Sequence, residues 1–218
     1  MLVNRCGIDF VVTEGQNNTF WNIYNWEQDT YTFLQKFSDP EKIFIDIGAW
    51  IGPISLPATK LNKMCYALEP DPIAYKELQT NINLNNIDNI KSYNLAMFNV
   101  NGFIKMGSEV LGSSVTSIGS NINTFDVKCI TMSCFIEENN INQNEISLIK
   151  IDVEGSETEI LKDDFFRSTE VPVHLSLHGP YFKNKVEDSS IIIEFINRYK
   201  NKVGVVDFDC LTSIMLYN

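Results

Sequence analysis

The chain has 218 residues, 44% hydrophobic and 21% charged, a composition typical of one soluble globular domain with a substantial core. Its formal net charge is −11 at pH 7, with no run of Lys or Arg, which argues against DNA or RNA as a partner because nucleic-acid binding depends on basic side chains. The five cysteines show no C-x-x-C or metal-ligand spacing, which indicates a reducing compartment. No segment approaches the roughly 18 apolar residues of a membrane span, and no charged-then-apolar leader stands at Met1. We therefore predict a cytoplasmic location.

The first 38 residues precede the core, and we predict that they form an extension packed on it. Residues 8–12 favour a short strand, and residues 20–37, which carry aromatic side chains at mixed spacing, favour a helix. Ser38-Asp39-Pro40 then breaks the chain. Since no repeat, linker or internal boundary follows, we assign residues 39–218 to a single main domain.

The main domain opens with an apolar, mostly β-branched run over residues 43–47, the pattern of a strand buried on both faces of a parallel sheet. Asp46 lies at the end of this strand. Gly48 and Gly52 then open a turn into an apolar helix. Glycine is the usual residue in such a turn because a ligand can approach the backbone closely only where no Cβ intervenes.

The next strand, residues 64–69, ends in Glu69. This acid lies 21 residues after Gly48, close to the roughly 20-residue spacing at which a Rossmann acid reaches ribose hydroxyls. The sequence thus predicts a nucleoside-binding half-domain. A nicotinamide dinucleotide is disfavoured because the G-x-G-x-x-G motif is missing: Trp50 stands in place of its second glycine, and a bulky indole there would crowd a pyrophosphate.

Strands and helices continue to alternate, which is typical of a parallel α/β sheet. Asp71 and Pro72 are good first residues of a helix, so capping explains them as well as a cofactor contact does. A third strand is predicted over residues 91–95 and is followed by Ala96. Residues 101–112 favour a hairpin excursion, residues 125–130 a further strand, and residues 134–138 a helix.

A second informative stretch, residues 146–157, is a buried strand that ends in Asp152 and Glu154. Ligands in open α/β sheets bind at the carboxyl ends of the strands, so both acids should face the same crevice as Asp46 and Glu69. A carboxylate at the end of a fully apolar strand costs desolvation free energy unless it is paired. Asp152 is therefore predicted to contact a cofactor, a metal or the substrate.

The helix after this strand carries a predicted capping box in which Ser156 pairs with Glu159. This gives Glu159 a structural role. Glu157 is then interpreted as a solvated acid in the first helical turn, favoured there by the helix dipole.

In the third stretch, residues 172–180, period-two alternation places His174, Ser176 and His178 on one face of a strand. His178 ends this strand before a Gly-Pro turn and is the candidate catalytic histidine, whereas His174 is interpreted as structural. A helix over residues 188–199 and a hairpin of residues 203–208 with 213–217 should close the sheet, with one strand antiparallel at its edge.

Together these motifs resemble the FkbM family of S-adenosylmethionine (SAM)-dependent methyltransferases. The family implies a class I, Rossmann-like α/β fold with a seven-stranded, mostly parallel sheet, helices on both faces and, here, an antiparallel edge hairpin. It also implies methylation of hydroxyl groups on sugars, glycans or other small natural products. Many members carry Asn where this chain has Trp50. The absence of an N-P-P-[YF] tetrapeptide after Ile151 favours an oxygen acceptor. The resemblance is carried by Trp26-Glu27, residues 46–53, residues 67–72, residues 130–132, residues 148–157 and residues 176–178.

The resemblance implies that the protein is an O-methyltransferase, with SAM as cofactor and a small-molecule or glycan hydroxyl as substrate. His178 is the predicted general base, acting as neutral imidazole, with Asp152 beside it. Alternatively, a divalent cation bridging Asp152 and Glu154 would hold a substrate diol, and oxygen ligands alone would suit Mg²⁺. A non-catalytic SAM-binding or scaffold protein is the competing function. The predicted cofactor contacts are Asp46, Gly48, Ala49, Trp50, Gly52, Glu69, Pro70, Asp71, Ala96 and Asp152.

Overall fold

The computed structural model describes residues 1–23 and 26–218. These residues form thirteen strands, eight α-helices and two short 3-10 helices at Gln143–Glu145 and Gly179–Tyr181. The strands are β1 (Leu2–Arg5), β2 (Ile8–Val11), β3 (Ile43–Ile47), β4 (Met64–Leu68), β5 (Ile90–Tyr93), β6 (Ala96–Met97), β7 (Gly102–Gly107), β8 (Ser117–Ile118), β9 (Phe125–Ile130), β10 (Ile146–Ile151), β11 (Val173–His178), β12 (Asn201–Gly204) and β13 (Leu211–Tyr217). The helices are α1 (Asn18–Trp21), α2 (Gln28–Phe37), α3 (Ser55–Ala58), α4 (Pro72–Leu84), α5 (Met132–Glu138), α6 (Glu157–Leu161), α7 (Asp164–Ser168) and α8 (Lys185–Asn197).

The main sheet has seven strands in the order β12-β13-β11-β10-β3-β4-β5. The five strands from β11 to β5 are parallel neighbours, and β13 pairs antiparallel with both β11 and β12. The predicted large, mostly parallel sheet is thus confirmed. The hairpin differs in one detail, because the antiparallel strand is β13, second from the edge, and β12 forms the edge itself.

The apolar run in β3 forms a strand that is buried along its whole length. Its alternate residues pack into different clusters. Ile43, Ile45 and Ile47 join a cluster that includes residues of α5 to α8, whereas Phe44 packs with residues of α2 and α3. Helices therefore cover both faces of the sheet, and Asp46, the one polar residue of β3, is fully buried.

Six strands lie outside the main sheet. The strands β1 and β2 form a two-stranded sheet, and β6 to β9 form a four-stranded one. The predicted strand over residues 125–130 is confirmed as β9, but it belongs to this smaller sheet. Val3, Phe10 and Trp21 share a hydrophobic cluster with Leu56 and Leu78, so the N-terminal segment packs on the helices beside β3.

The helix predicted over residues 20–37 is only partly correct. The structure has α1 at Asn18–Trp21 and α2 at Gln28–Phe37, with non-helical backbone at residues 22–23 and 26–27. Residues 24–25 of that prediction lie outside the described residues. No helix in the described part of the chain is long and apolar enough to cross a membrane.

Candidate active site

A cavity of about 400 Å³ opens at the carboxyl ends of the parallel strands. This volume lies within the range of small-molecule sites, and the sheet edge is where α/β folds bind ligands. The cavity brings together most of the residues that the sequence predicted. Those that line it are Gly48, Ala49, Trp50, Glu69, Pro70, Ala96, Asp152, Glu154 and His178.

Three of the predicted cofactor contacts, Asp46, Gly52 and Asp71, are not among the residues that line this cavity. Asp46 is fully buried beneath its floor. One carboxylate oxygen accepts a hydrogen bond from Ser55 Oγ (2.6 Å), and the other lies 3.1 Å from Lys150 Nζ. Burial raises the pKa of Asp46, although Lys150 and Ser55 oppose this effect. Asp46 therefore ties the first residue of α3 to β10 from within the core.

The two glycines of the first turn have packing roles. Both have positive φ, +84° at Gly48 and +95° at Gly52. A Cβ atom at Gly48 would lie 1.8 Å from the backbone oxygen of Asp152, so this glycine lets the ends of β3 and β10 approach each other. A Cβ atom at Gly52 would lie 2.7 Å from Leu78, against α4. The neighbouring strand and helix alone thus account for both glycines.

Asp71 acts as a cap and as a clamp. Its Oδ1 accepts hydrogen bonds from the N–H groups of Ile73 (2.8 Å) and Ala74 (3.1 Å) at the start of α4. Its Oδ2 accepts from the Gly112 N–H (2.8 Å) and from Thr116 Oγ1 (3.2 Å). Asp71 is therefore a structural residue that ties the loop between β7 and β8 to the helix.

Glu69 and Trp50 form one end of the cavity. Glu69 Oε2 accepts a hydrogen bond from the Trp50 N–H (2.7 Å), and Oε1 accepts from the Asp71 N–H (2.8 Å). Burial raises the pKa of Glu69 to about 8, against the lowering effect of these two N–H groups. Trp50 has a φ of +49°, and its indole N–H donates to the Gly112 carbonyl (2.9 Å). The carboxyl group of Glu69 is thereby fixed at the wall where the spacing predicted it.

Lys150 lies at the centre of the site, a position that the sequence analysis did not identify. Its ammonium group is 3.1 Å from Asp46 Oδ1, 3.3 Å from Asp152 Oδ2 and 3.1 Å from the Gly48 carbonyl. Burial alone would lower the pKa of Lys150, but the two carboxylates raise it above its usual range. Its position as the penultimate residue of β10, between apolar neighbours, is the only sequence signal that could have revealed it.

Asp152, Glu154 and His178 converge at the other end of the cavity. His178 Nε2 lies 3.5 Å from Asp152 Oδ1 and 3.5 Å from Glu154 Oε1. Burial tends to raise the pKa of Asp152, but Lys150 and His178 outweigh it and hold this pKa below its usual range. Burial raises the pKa of Glu154 to about 7, despite the opposing charge of His178. The structure therefore brings Asp152 and Glu154, which follow β10, together with His178, the last residue of β11, as predicted.

The interpretation of Glu157 as a solvated acid is wrong, because its side chain is fully buried. Its Oε1 lies 2.5 Å from His178 Nδ1 and accepts a hydrogen bond from the Gly155 N–H (3.1 Å). The capping box is also absent: Ser156 makes no side-chain cap, and Glu159 instead bonds to Lys162 and Asn99.

The ion pair between Glu157 and His178 changes the interpretation of the histidine. Burial alone would lower the pKa of His178, but the bond to Glu157 and the charges of Asp152 and Glu154 raise it to about 9. The imidazole of the ligand-free chain is therefore a cation at neutral pH. The expectation of a neutral imidazole that titrates near pH 7 is wrong for this state.

Glu27 is a second site residue without a role in the sequence analysis. It lines the cavity just before α2, and its Oε2 is buried with no hydrogen-bond partner among the described residues. Burial, together with the negative charge of Asp152, raises the pKa of Glu27 to about 7. The cavity wall is consequently acidic, with carboxyl groups from Glu27, Glu69, Asp152 and Glu154.

The fold and the position of this site define a methyltransferase-like α/β domain. The family model described as the methyltransferase FkbM domain matches residues 46–203. The chain belongs to this family of methyltransferases.

Individual relatives are more distant. The chain is 30% identical over 120 residues to a tRNA (guanine(37)-N(1))-methyltransferase of Schizosaccharomyces pombe, which covers 50% of this chain and 24% of the relative. This chain therefore spans about a quarter of the length of the tRNA methyltransferase that it matches. Among solved structures, the methyltransferase FkbM of Methylobacillus flagellatus KT matches with a TM-score of 0.54 at 17% identity. The match covers 82% of this chain and 44% of the M. flagellatus protein. The precorrin-6y C5,15-methyltransferase of Geobacter metallireducens GS-15 matches with a TM-score of 0.51 at 12% identity. This match covers 95% of this chain and 93% of the G. metallireducens protein. At these identities, the structural likeness shows the fold alone.

Proposed function

We propose that the protein is a SAM-dependent O-methyltransferase that acts on a hydroxyl group of a sugar, a glycan or another small molecule. The observation that carries this proposal is the division of one cavity into two ends. Glu69 follows β4 at one end, whereas Asp152 and Glu154 follow β10 and His178 ends β11 at the other, so that β3 separates the two groups along the sheet edge. A reaction between a nucleoside cofactor and a separate acceptor needs both ends in one enclosed space.

The cofactor end fits SAM in shape and charge. Glu69 presents a buried carboxyl group at the distance in sequence at which an acid reaches ribose hydroxyls. Gly48, Ala49 and Pro70 also line the cavity. SAM carries a sulfonium and an ammonium cation against one carboxylate, so its net charge is positive. Glu27 Oε2, buried on an acidic wall without a partner among the described residues, suits such a ligand. When bound, SAM supplies an electrophilic methyl group.

The acceptor end contributes orientation and proton acceptance. A hydroxyl held against Asp152 and Glu154 meets carboxylate oxygens that can accept its proton as the O–CH₃ bond forms and the S–CH₃ bond breaks. His178 is a third acceptor only when its imidazole is neutral, a form whose share grows as the pH rises towards about 9. A positioned base contributes about 10²–10⁴-fold. Lys150 holds Asp152 in place through the 3.3 Å ion pair. Alignment of the two reactants is worth on the order of 7–11 kcal/mol.

The likeness to a tRNA methyltransferase makes RNA the second candidate acceptor. The net charge of −11 favours the small-molecule acceptor, because an RNA substrate requires many basic contacts to phosphates. A mobility-shift assay with tRNA at low salt separates the two. We expect no shift at micromolar protein, and a salt-sensitive complex would favour RNA.

The cofactor assignment is tested by calorimetry of SAM and its demethylated product, with NAD as the matched control ligand. We expect binding of the first two and not of NAD. Glu69→Ala should weaken SAM binding by roughly ten- to hundredfold, because the hydrogen bonds between the ribose hydroxyls and this buried carboxyl group are lost. Glu41→Ala, a change at an exposed acid, should leave it unchanged. Absence of SAM binding to folded protein stripped of any bound cofactor would contradict the proposal.

Turnover decides between an enzyme and a non-catalytic SAM-binding protein. Purified protein is incubated with SAM and a panel of sugars and glycosides, and the methylated product is detected by mass spectrometry. His178→Ala should lower kcat by about two to four decades while SAM binding survives. Tight SAM binding without turnover on any acceptor would favour the scaffold function.

A further inference from the structure

The cluster of Asp152, Glu154 and His178 has the spacing of a metal site. One ligand atom from each side chain lies within 4.8 Å of the others. The two distances from His178 Nε2 to the carboxylate oxygens are both 3.5 Å, longer than good hydrogen bonds. Ligands about 2.1 Å from one ion are about 3.4 Å apart when the geometry is tetrahedral and about 3.0 Å when it is octahedral. The two separations from His178 Nε2 are therefore those of atoms that can share one ion, and the Asp152 and Glu154 oxygens lie within 4.8 Å of each other.

Glu157 provides a second, independent feature. Its buried carboxylate lies 2.5 Å from His178 Nδ1, the ring nitrogen that faces away from Asp152 and Glu154. A metal ion would displace the proton on Nε2 of the cationic ring, and the hydrogen that stays on Nδ1, directed at Glu157, then leaves the Nε2 lone pair facing the two other acids. Metal-ligating histidines almost always make this second bond to a carboxylate or a carbonyl, which fixes the tautomer and the ring orientation. The other oxygen, Oε2 of Glu157, is buried without a partner among the described residues.

The cluster also has the charge that a cation requires. Asp152, Glu154 and Glu157 supply three carboxyl groups around a single imidazole. The nearest ammonium, that of Lys150, is already shared between Asp46 and Asp152. A divalent ion would balance charges that the protein itself leaves in excess.

The ligand types indicate which ion fits. Mg²⁺ and Ca²⁺ prefer oxygen ligands throughout, whereas imidazole nitrogen suits the first-row transition metals. Two carboxylates and one imidazole therefore favour Mn²⁺, Fe²⁺, Co²⁺ or Zn²⁺. The Mg²⁺ expected from Asp152 and Glu154 alone is the less suitable ion once His178 is the third ligand.

We propose that Asp152, Glu154 and His178 bind a divalent first-row transition-metal ion, with its remaining coordination positions open to the cavity. The use of this ion rests on the proposed function. Two neighbouring hydroxyls of a sugar or another diol would fill two open positions, and a ligated hydroxyl would lose its proton more easily, to an oxygen of Asp152 or Glu154 that does not ligate the ion. His178 would then act as a ligand and not as the base. The acceptor class is therefore a vicinal diol.

The test measures metal binding directly, with Mn²⁺ as the probe and no SAM present. The full chain is dialysed against EDTA and then against metal-free buffer, and free Mn²⁺ is followed by its electron paramagnetic resonance signal. We expect one Mn²⁺ per chain, displaced by Zn²⁺ and Co²⁺ more readily than by Mg²⁺. His178→Gln and Glu154→Gln should each weaken binding at least tenfold, and Glu157→Gln by about 10- to 100-fold through the orientation of the imidazole.

The matched control is Glu159→Gln, which removes an acid from the same helix as Glu157 but outside the cluster. It should bind Mn²⁺ like the wild type, and circular dichroism checks that every variant is folded. No saturable binding of Mn²⁺, Zn²⁺ or Co²⁺ by the folded wild type would overturn the proposal. Equal binding by the wild type, His178→Gln and Glu154→Gln would also overturn it, because the ion would then sit elsewhere.

The outcomes for the metal and for the methyl transfer are separable. Methyl transfer that continues at full rate in EDTA, with no Mn²⁺ binding, overturns the metal site and leaves the proposed function standing. Stoichiometric Mn²⁺ binding that depends on His178, without turnover on any acceptor, supports the metal site and counts against the proposed function.

Discussion

The most direct test of the core electrostatics is at His174. This residue lies in β11 opposite Lys150 of β10, with a relative exposure of 1%. Its ring packs against Phe33 at a centroid distance of 5.5 Å, and neither nitrogen has a hydrogen-bond partner among the described residues. Burial, reinforced by the charge of Lys150, lowers the pKa of His174 from 6.5 to about 4. The folded protein therefore holds this imidazole neutral.

The sign of the pH effect follows from where the proton binds. Between pH 6.5 and pH 4 the unfolded chain protonates His174 and the folded chain does not. Acid therefore favours the unfolded state through this group, and the loss of stability begins below pH 6.5 and is complete near pH 4. The difference between the two pKa values corresponds to about 3 kcal/mol. Above pH 6.5 the group contributes no pH dependence.

The perturbation is His174→Leu, which removes the titrating group and keeps an apolar side chain of similar volume. Urea unfolding at pH steps from 7.5 to 4 gives the free energy of unfolding of each protein. Acids titrate in both proteins, so their difference isolates the histidine. We expect the variant to gain about 3 kcal/mol relative to the wild type over this range.

Phe33→Leu is the matched control, since it removes the same ring contact but no titrating group. It should keep the pH dependence of the wild type. Parallel curves for the wild type and His174→Leu would refute the reasoning, because the folded state would then protonate His174 as easily as the unfolded chain does.

Two further predictions concern the packing beneath the site. Gly48→Ala should cost about 3 kcal/mol or more, because its Cβ would lie 1.8 Å from the Asp152 backbone oxygen. Gly15→Ala, whose Cβ would meet no atom of the described residues within 4 Å, should cost less, and equal melting temperatures for the two variants would contradict this. Lys150→Met should lower the free energy of unfolding by about 3–5 kcal/mol, because it leaves the Asp46 carboxylate without its ion-pair partner in the core. Near-normal thermal stability of the variant would show that the ion pair between Lys150 and Asp46 is dispensable.

Much of the site could be predicted from residue types at the ends of strands. The carboxyl ends of parallel strands meet at one edge, so Glu69, Asp152, Glu154 and His178 had to lie near each other once the strands were assigned. Asp71 was correctly recognised as a good cap. Its second carboxylate oxygen also binds the loop at Gly112, 41 residues further along the chain. This contact could not be predicted, because it leaves no local pattern in the sequence.

The sequence by itself determined the fold class and the sheet edge at which the site lies, since buried strands and glycine turns are local signals that survive without the rest of the chain. Only the tertiary structure decided the charge of the site. The local pattern predicted a solvated Glu157, but the packing of α6 against β11 buries its side chain next to His178. The bond between them makes the imidazole a cation. Likewise, Lys150 became the central cation because β3 and β10 pair in a register that sets it beside Asp46. A pKa depends on burial and on neighbours brought together from distant parts of the chain, and no stretch of sequence holds that information alone.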